Sequence, residues 1–250
     1  MIMTNTTSAL VVLDMAGTTV RDNNEVLHCF SEACRQAGLT ADERRLNALM
    51  GVSKLEVFQL LWREELGEDA APDVIAMRAG DTFRTFCRIL EEYYQTHPVE
   101  PADGALEVFD NLKEQGIKIA LNTGFYRKVT DIILGKLGWL AGLDAGYKGG
   151  ADSVIHFSIA SDEVPGGRPE PFMIRKAMAV FGIDDPKQVV KIGDTPVDLE
   201  EGRRAGVAYT LAVTNGTHTR AELEILDNDG LLASISGLPG WLQERGWPQR

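Results

Sequence analysis

The chain has 250 residues, 44% of them apolar and 25% charged, a composition that suits a soluble globular protein and excludes a disordered or fibrous one. Its formal net charge of −12 repels nucleic-acid backbones and anionic membrane surfaces at long range, so neither is an expected partner. Cys29, Cys34 and Cys87 lack CxxC or metal-ligand spacing, no basic leader pattern opens the sequence, and no apolar run approaches the roughly 18 residues of a membrane span. These features favour a reducing cytoplasm.

In chain order, the apolar run Ala9 to Leu13 reads as a buried strand that ends on Asp14 and a small-residue turn. A long stretch without strand signal follows, with helical patterns near Glu25 to Ala37, Thr40 to Met50, Leu55 to Glu65 and Pro72 to Thr96. Turn-prone Arg21 to Asn24 and the proline-interrupted segment His97 to Gly104 border this block, and a new helix is expected from Ala105. Strand patterns return at Lys118 to Leu121, Val189 to Ile192 and Ala208 to Val213, each followed by a turn and a helical pattern. The repeat predicts an α/β fold with a Rossmann-like, doubly wound parallel sheet. Residues 1–20 and 99–250 would form the core, and residues 21–98 an inserted α-helical cap over the strand ends. Phe58 and Trp62, at helical spacing from Leu55 and Leu61, predict a packing face in that cap. Two tryptophans within Leu238 to Trp247 are expected to anchor the last helix.

The chemistry gathers at the expected strand ends. Asp14 taken alone reads as a turn former as readily as a catalytic group. Asn122-Thr123-Gly124 closes the second strand, where a hydroxyl and backbone amides at a helix start suit an anion, as they suit a plain cap. Arg168 sits in VPGGRPEPFM, between glycine and proline, and can pair a phosphate bidentately. VVKIGDTPVDLEEG places Asp194 and Asp198 without a base between them, and two such carboxylates call for a cation, magnesium by the hardness of the oxygen donors. Asp, Thr, Arg and an Asp pair at successive strand ends match phosphoryl transfer to a carboxylate. His28, His97, His156 and His218 are scattered and form no metal-ligand pair.

With these motifs the chain resembles the haloacid dehalogenase superfamily of aspartyl-nucleophile hydrolases over essentially its whole length. In Asp14 to Thr19, DMAGTT, Ala16 stands where that superfamily usually has a second aspartate, and GRPEP carries arginine where lysine is usual. Both features are similar to the phosphonatase-like subgroup, the phosphonoacetaldehyde hydrolases. The resemblance implies Asp14 as nucleophile and Mg2+ held by Asp14, the Ala16 carbonyl, Asp194 and Asp198. It further implies phosphate or substrate contacts from Gly17, Thr18, Thr123, Gly124, Phe125 and Arg168. Met50, Gly51 and Lys54 match a cap pattern whose lysine forms a Schiff base with the substrate aldehyde.

The substitution at Ala16 has a physical reading: alanine cannot protonate a leaving alkoxide, so the leaving group must be stabilised otherwise. An iminium on Lys54 would draw electrons from a carbon–phosphorus bond, and a helix start lowers the pKa of such an amine. Val57, Phe125 and Asn24 occupy places where the subgroup has histidine, tyrosine and cysteine. The expected substrate is therefore a small phosphonate, with a phosphate monoester as the alternative and a non-catalytic phosphoryl-ligand sensor as a third reading. A homodimer through the cap is implied by the resemblance and permitted by the Phe58 and Trp62 face.

Overall fold

The computed structural model describes residues 9–67 and 69–248; the expected core segments extend beyond them at 1–8 and 249–250. Leu10–Leu13 (β1) is buried at every position, so it needs cover on both faces and takes the centre of the sheet. Lys118–Thr123 (β2) and Val189–Gly193 (β4) flank it, both parallel to it. Phe157–Ala160 (β3), Tyr209–Val213 (β5) and Gly230–Leu232 (β6) complete a parallel six-stranded sheet in the order β3-β2-β1-β4-β5-β6. This is the expected doubly wound sheet. β3 and β6, four and three residues long, are too short to show a period in the sequence.

The winding reverses between β1 and β4, which opens a crevice at their carboxyl ends. Leu13 lies opposite both Leu121 and Ile192, so Asp14, Thr123 and Asp194 leave the sheet at the same end. The helices Ala105–Glu114, Arg127–Leu137, Phe172–Phe181 and Pro196–Ala205 connect the strands. The helix from Ala105 and the anchoring tryptophans are as expected: Trp241 meets Tyr209 edge to face at 5.1 Å, and Trp247 is buried.

Between β1 and β2 the chain forms four helices, Glu25–Ala37, Glu43–Asn47, Lys54–Leu66 and Pro72–Thr96, and we call the third of these the Lys54 helix. The second is shorter than the expected Thr40 to Met50. Asp42 starts it by accepting the Arg45 N–H at 2.7 Å, and Gly51, at φ +82°, turns the chain before Lys54. The linkers into and out of this block run side by side: Arg21 pairs with Glu100 and Asp103, each at 2.6 Å, and Ala102 N–H donates to the Thr19 carbonyl.

Phe58 and Trp62 form the expected packing face, and it is filled from within the chain, so it is not the surface through which a dimer would form. Phe58 meets Phe30 and Phe86 edge to face at 5.3 and 5.9 Å, and Trp62 Nε1 donates to Thr82 Oγ1 at 2.9 Å. Its apolar area is already removed from water, so it offers nothing further to a second copy. The three cysteines are unpaired. Among the described residues no helix is long and apolar enough to cross a membrane.

Candidate active site

Asp14 directly follows β1, and its amide donates to the Ile192 carbonyl at 3.0 Å, which fixes the side chain over the crevice. Its Oδ1 accepts from Arg168 Nη2 at 2.6 Å. Arg168 is almost fully buried and also donates to Asp198. Behind that pair, Lys191 from the middle of β4 lies 2.8 Å from Asp198 and 3.5 Å from Glu201, and donates to Asn122 Oδ1 at 2.7 Å. Asn122 returns its amide to both Glu201 oxygens at 2.8–2.9 Å. Asp198 further accepts the Thr195 hydroxyl at 2.6 Å, and Asp194 accepts the Thr217 amide at 2.7 Å.

Four buried carboxylates, Asp14, Asp194, Asp198 and Glu201, thus face two buried cations, Arg168 and Lys191, which leaves two negative charges uncompensated. Burial and the Asp14 and Asp198 charges push Asp194 up to about 7. Burial also pushes Asp14 upward, against the pull of Arg168. Asp198 is held below the usual carboxylate range because Arg168 and Lys191 overcome its burial.

Asp14, Asp194 and Asp198 can each offer an oxygen within 4.8 Å of the others. A divalent cation fits this donor set: it would cancel the excess charge and relieve Asp194. Asp198 has both oxygens engaged by Arg168, Lys191 and Thr195, whereas Asp14 is held at Oδ1 by Arg168 and, among the described residues, Asp194 Oδ1 meets only the Thr18 hydroxyl, at 3.5 Å, so Asp14 and the Oδ1 of Asp194 are the more open donors. Gly17 is dictated by this acidic pocket. It holds φ +81°, and a Cβ there would fall 2.3 Å from Asp194 Oδ2.

Lys54 enters the crevice from the opposite side. A Cβ on Gly51 would lie 2.5 Å from Val197 and 2.6 Å from Thr195 Oγ1, and one on Gly124 2.7 Å from the Gly51 carbonyl, so the loop before the Lys54 helix sits directly on the strand-end loops. Lys54 is 7% exposed; its amine donates to the Leu49 carbonyl at 3.3 Å and stands 4.9 Å from the Phe30 ring centroid. Among the described residues it has no carboxylate partner within salt-bridge distance. Burial, aided by the Arg168 charge, lowers its pKa to about 7.

These residues enclose a narrow cavity between the strand ends and the loop before the Lys54 helix. On its wall stand Asp14, Ala16, Met50, Gly51, Lys54, Thr123, Gly124, Phe125, Arg168 and Asp194, all anticipated from the sequence. Gly17, Thr18 and Asp198 lie behind the wall. The Gly17 amide is spent on the Val20 carbonyl and the Thr18 amide on Met15, so neither is free for a substrate. The Thr123 hydroxyl oxygen accepts the Phe125 N–H at 3.1 Å, which leaves its proton to donate.

Sequence reasoning missed Asp22, Thr195 and Thr217 on the wall, and the Lys191, Asn122 and Glu201 network beneath it. A lysine inside the apolar run VVKIG was the available signal for that network. Asn24 is exposed at the start of the Glu25–Ala37 helix, and Val57 is buried away from the cavity.

Comparison with known proteins places the chain among hydrolases. The family of hydrolases described as haloacid dehalogenase-like matches residues 9–206. The phosphonoacetaldehyde hydrolase of Bacillus cereus (strain B4264) is 30% identical, covering 94% of this chain and 88% of that protein. The structure of a phosphonoacetaldehyde hydrolase-like protein from Oleispira antarctica gives a TM-score of 0.73 at 20% identity, covering 95% of this chain and 92% of its own. That of a predicted phosphoglycolate phosphatase from Haemophilus somnus 129pt gives 0.71 at 19%, covering 96% and 100%. At those identities the structural likeness concerns the fold.

Proposed function

Because the chain belongs to the haloacid dehalogenase-like hydrolases, we propose that it cleaves the carbon–phosphorus bond of phosphonoacetaldehyde or a related small phosphonate, with Mg2+ as cofactor. The observation that carries this reading is Lys54: a buried amine that among the described residues has no acidic partner, on the same cavity wall as the carboxylate that would attack phosphorus. A lysine kept for charge would be expected to hold a counter-ion; one kept for nucleophilicity is better without it.

In this mechanism the neutral Lys54 amine adds to the substrate aldehyde, and the carbinolamine takes up a proton from solvent and loses water to give an iminium; hydrolysis of the aspartyl phosphate later returns a proton to solvent. Asp14 then attacks phosphorus in line, and the bonding pair of the carbon–phosphorus bond moves into the carbon framework to give an enamine. Thr123 donates its proton to a phosphoryl oxygen. Arg168, held between Asp14 and Asp198, carries a buried Nε without a partner and supplies a further donor. The metal, bound through Asp14, the Ala16 carbonyl and Asp194 with Asp198 behind them, would supply charge neutralisation at the transferring oxygens. Water hydrolyses the aspartyl phosphate, and imine hydrolysis frees acetaldehyde. The helices of residues 21–98 act as the cap that closes over these steps.

The test is phosphate release from phosphonoacetaldehyde beside a panel of phosphate esters, with and without Mg2+. Faster turnover of the phosphonate, and substrate-dependent borohydride inactivation that adds mass at Lys54, are expected. Faster ester turnover, or an active enzyme that borohydride does not trap, would replace this reading with a phosphomonoesterase.

A further inference from the structure

Carbon–phosphorus cleavage leaves an enamine carbon that must take up a proton, and Ala16 has none to give. Three carboxyl groups line the cavity: Asp14, Asp22 and Asp194. Asp14 is paired with Arg168, and Asp194 is held by Thr217 beside the other acidic ligands. Asp22 differs from both. It lies on the linker into the cap, shares the cavity wall with Lys54, and among the described residues pairs with no base.

Building on the proposed carbon–phosphorus cleavage, we infer that Asp22 is the acid that protonates the group leaving phosphorus. Its Oδ1 accepts the Glu25 N–H at 2.9 Å, which anchors the carboxyl at the start of the first cap helix. Burial first, and the neighbouring Glu25 carboxyl second, push its pKa up to about 8, so it carries a proton at neutral pH. The other charged or titratable groups acting on it or feeling it are Asp194, Lys54, Cys29, Tyr93 and Tyr94. Glu25 is only partly buried and provides the route by which Asp22 exchanges protons with solvent.

The steps balance. The Asp22 O–H bond breaks as the enamine methylene forms a C–H bond, giving an iminium on Lys54 and an Asp22 carboxylate. Water adds to the iminium carbon and surrenders one proton to that carboxylate. The carbinolamine passes its hydroxyl proton to nitrogen, which releases acetaldehyde and the neutral Lys54 amine and leaves Asp22 protonated.

The experiment is a single-turnover quench of Asp22→Asn and Asp22→Glu with phosphonoacetaldehyde, reading phosphate and acetaldehyde from the same samples. Asp22→Asn is expected to form phosphate at close to the wild-type rate while acetaldehyde lags by on the order of 100-fold, with much of the loss restored in Asp22→Glu. Equal rates for both products, or equal losses in both, would overturn the inference. If the wild type releases no phosphate from phosphonoacetaldehyde, the proposed function fails and phosphate esters decide the role of Asp22. A donor makes Asp22→Asn lose activity on alkyl phosphates and spares p-nitrophenyl phosphate, whose leaving group needs no proton; equal losses on both overturn the inference.

Discussion

Replacing Lys54 by methionine should make the protein more stable and less active. The amine is 7% exposed and among the described residues has no counter-ion, and burial brings its pKa from 10.5 to about 7. Between those values the unfolded chain holds a proton that the folded chain has given up, so the amine opposes folding most strongly below pH 7. The opposition fades as pH rises towards 10.5. At about 1.4 kcal/mol per pKa unit the penalty is about 4 kcal/mol at pH 7 and about 2 kcal/mol at pH 9. Methionine fills the space but forfeits the bond to the Leu49 carbonyl, worth about 1 kcal/mol. Lys54→Met is thus expected to gain about 3 kcal/mol at pH 7 and about 1 kcal/mol at pH 9. Urea denaturation at the two pH values, checked for an unchanged slope, measures both. A variant no more stable than wild type at pH 7, or one whose gain is the same at both, would refute the buried, partnerless amine.

Other outcomes follow from the same geometry. Lys191→Met strands Asp198 and Glu201 without that cation and should cost about 3–5 kcal/mol in urea denaturation, with part of the loss recovered by adding Glu201→Gln. Mg2+ at a hundred times its Kd should stabilise the protein by about 2.7 kcal/mol in a thermal melt, and Asp194→Asn should abolish the shift. Gly51→Ala, at φ +82° and against Val197 and Thr195, should cost about 1–3 kcal/mol and lower kcat/KM by displacing Lys54. In steady-state assays its KM should rise along with the loss.

Sequence carried the fold where one segment declares itself. Leu10–Leu13 and Val189–Gly193 are apolar at nearly every position, as strands covered on two faces must be, and the parallel sheet follows from their repetition with helices. The strand-end residues Asp14, Thr123 and Asp194 were legible for the same reason, since register alone brings them together. What was illegible depends on contacts distant in the chain. Nothing near Asp22 says that its linker shares a cavity wall with Lys54, and nothing near Asn122 says that its amide meets Glu201, 79 residues on. Phe58 and Trp62 were legible as a packing face, but periodicity shows only that a helix side is buried and not against what, so Phe30, Phe86 and Thr82 could not be named as their partners. The Thr40 to Met50 pattern overran for a related reason: Asp42 caps the start and the regular helix ends at Asn47, followed by a turn that reverses at Gly51, which hydrophobic spacing does not report.

The central claim is that Asp14 becomes phosphorylated during turnover. Rapid quenching of the enzyme with Mg2+ and a turned-over substrate, followed by mass spectrometry of the peptide around residue 14, should find one phosphoryl group on Asp14, absent in an inactive Asp14→Asn variant. Full activity in Asp14→Asn, or turnover with no phosphoryl group on that peptide at any quench time, would contradict the account.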